Sequence, residues 1–194
     1  MELRTHQTQS IEMIRNSLSK GLNRPLLAAP TGFGKTVVAA QIAKMVSEGK
    51  GKRFLFVCDR VKLVQQTLDT FDAFGLDVGV IQGNHERTNY SAKVQIASIQ
   101  TLARKKQKHW PIFDICMIDE VHSLHKAHKE MMGVFNNLPF IGLSATPYSK
   151  GLGKYFNDLL VPITTEQLID KGYLCQVDYY GGRQANLDGV KNKQ

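Results

Sequence analysis

Leu26-Leu27-Ala28-Ala29-Pro30-Thr31-Gly32-Phe33-Gly34-Lys35-Thr36 is the stretch whose reading decides the fold. A short apolar run ends in a glycine-bearing turn, and a helix-compatible segment, residues 35–47, follows it. A phosphate-binding Walker A loop requires this strand–loop–helix setting. Gly32 and Gly34 leave room for backbone N–H groups to wrap a phosphate. The helix opening near Lys35 adds the positive end of its dipole. The Lys35 ammonium can reach the β- and γ-phosphates of a nucleotide, and the Thr36 hydroxyl can sit on Mg²⁺. Pro30, Thr31 and Phe33 complete the loop, and Ala29 stands where the strict pattern has its first glycine.

Outward from this loop, short apolar runs rich in β-branched residues alternate with longer amphipathic stretches. The runs at 26–29, 54–58, 78–81, 94–97, 115–118 and 140–143 are almost continuously apolar, as strands covered on both faces of a parallel sheet are. The intervening segments 5–19, 35–47, 61–74, 99–103 and 126–135 carry helical spacing. Residues 161–173 add one more helix, with Thr164 or Thr165 as its cap and Gly172 as its stop. The pattern predicts an α/β fold, a mostly parallel sheet with helices on both faces. Ligands in such sheets bind at the carboxyl ends of the strands, and the phosphate loop lies at such an end.

The chain has 194 residues, one domain's worth, with 42% hydrophobic residues. No apolar run approaches the roughly 18 residues of a membrane span. The start, residues 1–10, lacks the layout of a secretory signal, so a cytosolic or nuclear protein, or one made inside an infected cell, is expected. The cysteines, Cys58, Cys116 and Cys175, are few, odd in number and far apart. They read as reduced thiols, not as a disulfide frame or a zinc site. The net charge of +8 and pI of about 9.4 suit a polyanionic partner. The basic run Arg104-Lys105-Lys106-Gln107-Lys108 reads as a solvated loop.

The run 115–118 ends in Asp119-Glu120-Val121-His122. A strand tip with two acids presents them at the ligand edge. Asp119 is positioned to hold Mg²⁺ through its water shell, and Glu120 to orient and deprotonate an attacking water. With Lys35, they form the expected catalytic set.

The phosphate loop APTGFGKT followed by DEVH resembles the DExH group of superfamily 2 helicases, and the family's other motifs appear in its order. Leu3-Arg4-Thr5-His6-Gln7 resembles the adenine-sensing Q motif, which makes Gln7 the base reader and Arg4 its neighbour. Arg60-Val61-Lys62-Leu63-Val64-Gln65-Gln66 resembles motif Ia, Ile96–Leu102 the next nucleic-acid motif, and Leu143-Ser144-Ala145-Thr146-Pro147 motif III. The similarity covers roughly residues 1–175. Its subgroup is closest to bacterial and phage DNA helicases of the RadD and ResIII-like kind, on the LRxxQ start, IxSxQ and Lys171-Gly172-Tyr173-Leu174. The resemblance implies a RecA-like ATP-binding domain using ATP and Mg²⁺. It implies coupling through His122, Ser144 and Thr146, whose hydroxyls would reach the acidic motif by way of His122. It also implies a nucleic-acid track over Arg60, Gln66, Gly83, Ser98, Gln100 and Thr101, with DNA favoured over RNA. In this family a second RecA-like domain supplies arginine fingers. Residues 176–194 then read as the start of a connection to that domain, and this stretch alone is expected to hydrolyse ATP very slowly.

Other readings stay open. A P-loop kinase would not carry LRxxQ or SATP. A catalytically dead binding module would not retain Lys35, Thr36, Asp119 and Glu120 together. A restriction translocase and an RNA helicase share the same ATPase chemistry. His122, His125 and His128 recur every third residue, which raises a metal site. The positions only partly share a helix face and lysines alternate with them, so a solvated basic helix is the reading taken.

Overall fold

The structure is a computed structural model and describes residues 2–176. Its sheet is formed by β1 (Pro25–Ala28), β2 (Phe54–Cys58), β3 (Val78–Ile81), β4 (Val94–Ser98), β5 (Ile115–Ile118), β6 (Phe140–Ser144) and β7 (Asp158–Leu160). Every pairing is parallel, and the strands lie in the order β3-β4-β2-β5-β6-β1-β7. Strands β1 to β6 are buried along their whole length, which is why their sequences do not alternate.

The helices are α1 (Thr5–Ser19), α2 (Lys35–Ser47), α3 (Val61–Ala73), α4 (Ile99–Arg104), α5 (Lys126–Val134) and α6 (Thr165–Asp170). Two apolar layers sandwich the sheet. Ile11, Ile14, Val38, Ile42, Val64 and Phe71 cover one face. Ile99, Leu102, Trp110, Phe113, Val121 and Met131 cover the other. The expected α/β architecture with helices on both faces is present.

Two expectations need correction. Strand β7 is not anticipated by the sequence reading. It has three residues and only Leu160 is buried, too short and too polar to read as apolar periodicity. The helix expected over 161–173 is confined to Thr165–Asp170. Thr164 caps it, its Oγ1 accepting from Gln167 N at 3.2 Å, so the residues before it are extended. Gly172, at φ +70°, ends the turn beyond it. The segment 177–194, expected to lead to a second domain, lies outside the described residues.

Strand β6 sits between β5 and β1 and depends on Gly142. A Cβ there would lie 2.6 Å from the Phe156 ring and 3.1 Å from Leu26 Cδ1. Both neighbours are buried in the packed core. Gly142→Val should therefore cost roughly 1–3 kcal/mol by overpacking, read as a lower urea midpoint with an unchanged slope. A midpoint equal to wild type would show that this layer yields more readily than described.

Candidate active site and nucleic-acid edge

Strand order places the motifs. The ends of β5, β6 and β1 are adjacent, so the acidic residues, the Ser144–Thr146 segment and the phosphate loop line up along one rim. The ends of β2, β4 and β3 form the other half of that rim.

The loop after β1 turns through Gly32 at φ +80° and Gly34 at φ +86°, a backbone only glycine adopts without strain. Its entry is tied to β6, with Ala29 N donating to Ser144 O at 2.8 Å. Gly34 is the N-cap of α2 and supplies no capping side chain, and the first turn of α2 holds no acidic residue. The helix's leading N–H groups are thus unneutralised, which suits an anion.

Lys35 Nζ lies 4.0 Å from Asp119 Oδ1 and in direct contact with Glu120 Oε1. The structure brings together the lysine and both carboxylates named from sequence. Burial pushes the Asp119 carboxyl up, Lys35 pulls it back, and Glu120 pushes it up again. Glu120 has φ +50°, the left-handed region, and is the only non-glycine residue there among those described. That conformation holds Glu120 N as a donor to Asp119 Oδ1 at 3.0 Å and turns the two carboxylates towards the same ammonium. Strain of this sort collects at functional sites, and no sequence pattern announced it.

From Glu120 the contacts continue to β6. His122 Nδ1 is 3.1 Å from Glu120 Oε2 and 3.4 Å from Ser144 Oγ. Ser144 is fully buried, and its Oγ accepts from Thr146 N at 3.0 Å. Thr146 therefore joins this chain through its backbone N–H and not through its hydroxyl, as the sequence reading had it.

The α1 end of the site differs from expectation. Gln7 is 3% exposed, and its amide is committed within the chain. Its Oε1 accepts from Arg4 N at 2.9 Å and its Nε2 donates to Phe33 O at 3.1 Å. His6 Nε2 also lies 3.1 Å from Phe33 O, and burial lowers its pKa. Gln7 packs on Gly34 so closely that a Cβ there would overlap its amide. The expected base reader is, in this structure, a clamp on the phosphate loop. Phe33 is fully buried in the core, so its backbone alone can line the loop. Pro30, Lys35 and Thr36 are half-buried, and Thr31 and Gly32 exposed. Arg4 is exposed, with its guanidinium 4.4 Å from the Tyr173 ring centre. Leu174 rests against Gly32, so the Lys171–Leu174 segment folds back over the loop.

On the other half of the rim, Arg60 is the N-cap of α3 with a 79% exposed side chain, and Gln66 and Gly83 are exposed. Ser98 is fully buried and caps α4, accepting from Thr101 N at 3.3 Å and donating to Thr101 Oγ1 at 2.8 Å. Ser98 is thus a structural cap and not an open contact. Gln100 is also turned inward, its Nε2 donating to Asp59 O at 2.5 Å. Asp59, unremarked in the sequence, receives this bond on its carbonyl while its carboxylate meets His125 Nε2 at 2.8 Å.

Of the histidine row, His122 and His125 are exposed, as a solvated face requires, and His128 is not. His128 is 1% exposed, with Nδ1 accepting from His125 N at 3.2 Å. No cluster of three or more His, Cys, Asp or Glu that could hold a metal occurs among the described residues. Burial, with His125 second, pushes His128 down from 6.5 to about 3, and Asp59 opposes weakly. Between those pH values the unfolded chain binds the proton and the folded chain does not. Stability is therefore complete above pH 6.5 and falls as pH drops towards 3. Wild type should lose about 2 kcal/mol more than His128→Met between pH 7 and pH 5 in urea titrations. Equal losses would mean that His128 accepts its proton in the folded state.

Cys58 and Cys116 are buried free thiols and Cys175 is exposed and free. No helix among the described residues is long and apolar enough to cross a membrane.

Comparison with known proteins agrees with this fold. The endonuclease subunit of the Escherichia coli type I restriction enzyme EcoAI is 32% identical over 186 residues, 89% of this chain and 23% of that subunit. The crystal structure of the UvsW helicase from bacteriophage T4 superposes with a TM-score of 0.68 at 21% identity, covering 84% of this chain and 61% of that one. A type ISP restriction-modification enzyme, LlaGI, solved with a DNA substrate mimic, gives 0.69 at 17% identity, over 89% of this chain and 21% of that one. The sheet is thus the RecA-like fold of helicase motors, and the chain spans less than a quarter of the EcoAI subunit. The family described as "Type III restriction enzyme, res subunit" matches residues 1–149, most of the chain, and the chain belongs to that family.

Proposed function

We propose that this chain is the ATP-binding half of a superfamily 2 DNA motor, an ATPase whose turnover is stimulated by nucleic acid. One observation carries the reading: the Lys35 ammonium lies against both Asp119 and Glu120 at the unneutralised N-terminus of α2. A triphosphate on the loop would be wrapped by backbone N–H groups and would compete with Glu120 for the lysine. Once released, the Glu120 carboxylate is free to orient a water and take its proton.

Thr36 and Asp119 offer a hydroxyl and a carboxylate, oxygen donors of the kind Mg²⁺ takes. When bound, the ion would neutralise charge on the phosphate oxygens. The His122–Ser144 contact gives the Glu120 carboxylate a hard-wired route to β6, and Asp59 links the α5 entry to Gln100 on the strand edge. These contacts suit transmission between nucleotide state and grip on a strand. Arg60, Gln66 and Gly83 are the surface track we assign to the phosphate backbone, with Thr101 at its edge.

A second RecA-like domain, reached through residues 176–194, would supply the arginine finger, worth about 10³–10⁵ in rate in related NTPases. DNA is the favoured polymer, since EcoAI is a restriction enzyme and LlaGI was solved with a DNA mimic. The same similarity supports a second reading, the translocating subunit of a restriction enzyme. The cytoplasm is the compartment this implies. The test is ATP turnover of the protein, with any further domains it carries, with and without DNA. Stimulation by DNA supports the motor. Turnover that ignores DNA but follows a small-molecule phosphate acceptor would point to a kinase.

A further inference from the structure

The basic run 104–108 is not absorbed by the nucleotide site or the strand-end track. Among the described residues, Arg104, Lys105, Lys106 and Lys108 have no carboxylate within ion-pair distance. Arg104 ends α4 and the lysines follow it, and Lys105 lines a groove of about 520 Å³. Tyr90, Lys105, His109, Pro111 and Ile112 line it. Tyr90 is 46% exposed and Ile112 76% exposed. Lys105 Nζ stands 5.2 Å from the Tyr90 ring centre.

The groove is built, not incidental. The Arg53 guanidinium joins its two walls, donating to Ile112 O at 2.8 Å, to Tyr90 O at 2.7 Å and to Ser91 O at 3.4 Å. Gln95, 2% exposed, holds Tyr90 O from below at 2.6 Å. Trp110 is buried and donates to Leu102 O at 3.1 Å, anchoring the far wall to α4. The Tyr90 backbone is therefore anchored, and its exposed ring stands beside Lys105 at the start of a row of uncompensated lysines. Single-stranded nucleic acids are bound by this pairing, bases on aromatic rings and phosphates on lysines. A folded acidic protein would be met by the cations but would have no use for the exposed ring.

We propose that this groove binds an unpaired nucleic-acid strand, as a second contact separate from the track at Arg60. The proposal rests on the nucleic-acid reading of the chain. The probe is a fluorescein-labelled oligo(dT) 20-mer, with anisotropy followed across a salt series. The combined Lys105→Ala, Lys106→Ala and Lys108→Ala variant should flatten the slope of log affinity against log salt by about 2, from three lost contacts at roughly 0.7 each. Tyr90→Ala should weaken binding by roughly tenfold, and Tyr90→Phe should restore it. These residues are on the surface, and circular dichroism confirms that each variant is folded.

If both variants bind as wild type while Arg60→Ala loses affinity, the groove proposal fails and the track reading stands. If wild type does not bind the oligonucleotide at all, the nucleic-acid reading fails and the groove proposal with it. If polyglutamate displaces the probe as well as unlabelled oligo(dT) does, and Tyr90→Ala is silent, the surface takes acidic partners in general and the proposal is overturned.

Discussion

Glu120→Gln should lower DNA-stimulated ATP turnover by about 10²–10⁴-fold, the range for loss of a positioned general base. The substitution preserves shape and removes the charge. It also replaces the charged partner of the Lys35 ammonium with a neutral acceptor. Nucleotide binding should therefore be unchanged or tighter, since a triphosphate no longer competes with the carboxylate. A fall in turnover with retained affinity separates a base from a residue that merely supports the fold. Turnover within tenfold of wild type would remove Glu120 from the chemistry. The left-handed backbone at 120 is the same for both residues, so strain should not confuse the comparison.

Lys35→Ala acts on the other member of the pair. Truncating one partner of a partly buried charge cluster costs about 2–5 kcal/mol, so nucleotide affinity should drop by roughly 30-fold or more. A second effect follows from the same geometry. Lys35 is the main group drawing the Asp119 carboxyl down against its burial. Without it, Asp119 sits higher still and is protonated at higher pH. The variant should then lose stability at neutral pH relative to wild type, because two carboxylates are left facing each other. The difference should shrink as the pH falls and Asp119 takes up a proton. Isothermal titration with ATP and urea unfolding at two pH values measure both consequences. Unchanged affinity would mean that the nucleotide does not use this lysine.

Much of this was legible from residue order. Strands β2, β3 and β5 start and stop where their apolar runs do, because helices cover both faces and leave no polar alternation to blur the ends. Lys35, Asp119 and Glu120 could be paired from sequence because Lys35 closes the loop after β1 and the two acids directly follow β5 in a parallel sheet, where strand ends converge. The unread parts have physical causes of their own. Strand β7 is a short edge strand stabilised by pairing with β1, so its residues carry little pattern.

Burial of polar residues was also illegible. Gln7 and His128 sit among charged or amide-rich neighbours in sequence, and Ser98 closes an apolar strand where a motif match suggests an open contact, yet each is buried. Whether a hydroxyl or amide faces solvent or caps a helix is decided by tertiary contacts, and a motif match does not report them. The turn at Glu120 is similar. Its positive φ follows from where the chain must go between β5 and the turn that carries His122, not from a glycine or asparagine that would flag it. Asp59 drew no notice because its links, to Gln100 and His125, span 41 and 66 positions.

Amide hydrogen exchange of this chain with millimolar Mg²⁺ and a non-hydrolysable ATP analogue asks most directly whether the rim of β1, β5 and β6 is the nucleotide site. Protection should concentrate in residues 30–37, with a second zone at 118–122. Uniform exchange across those segments, with protection elsewhere on the molecule, would contradict the account.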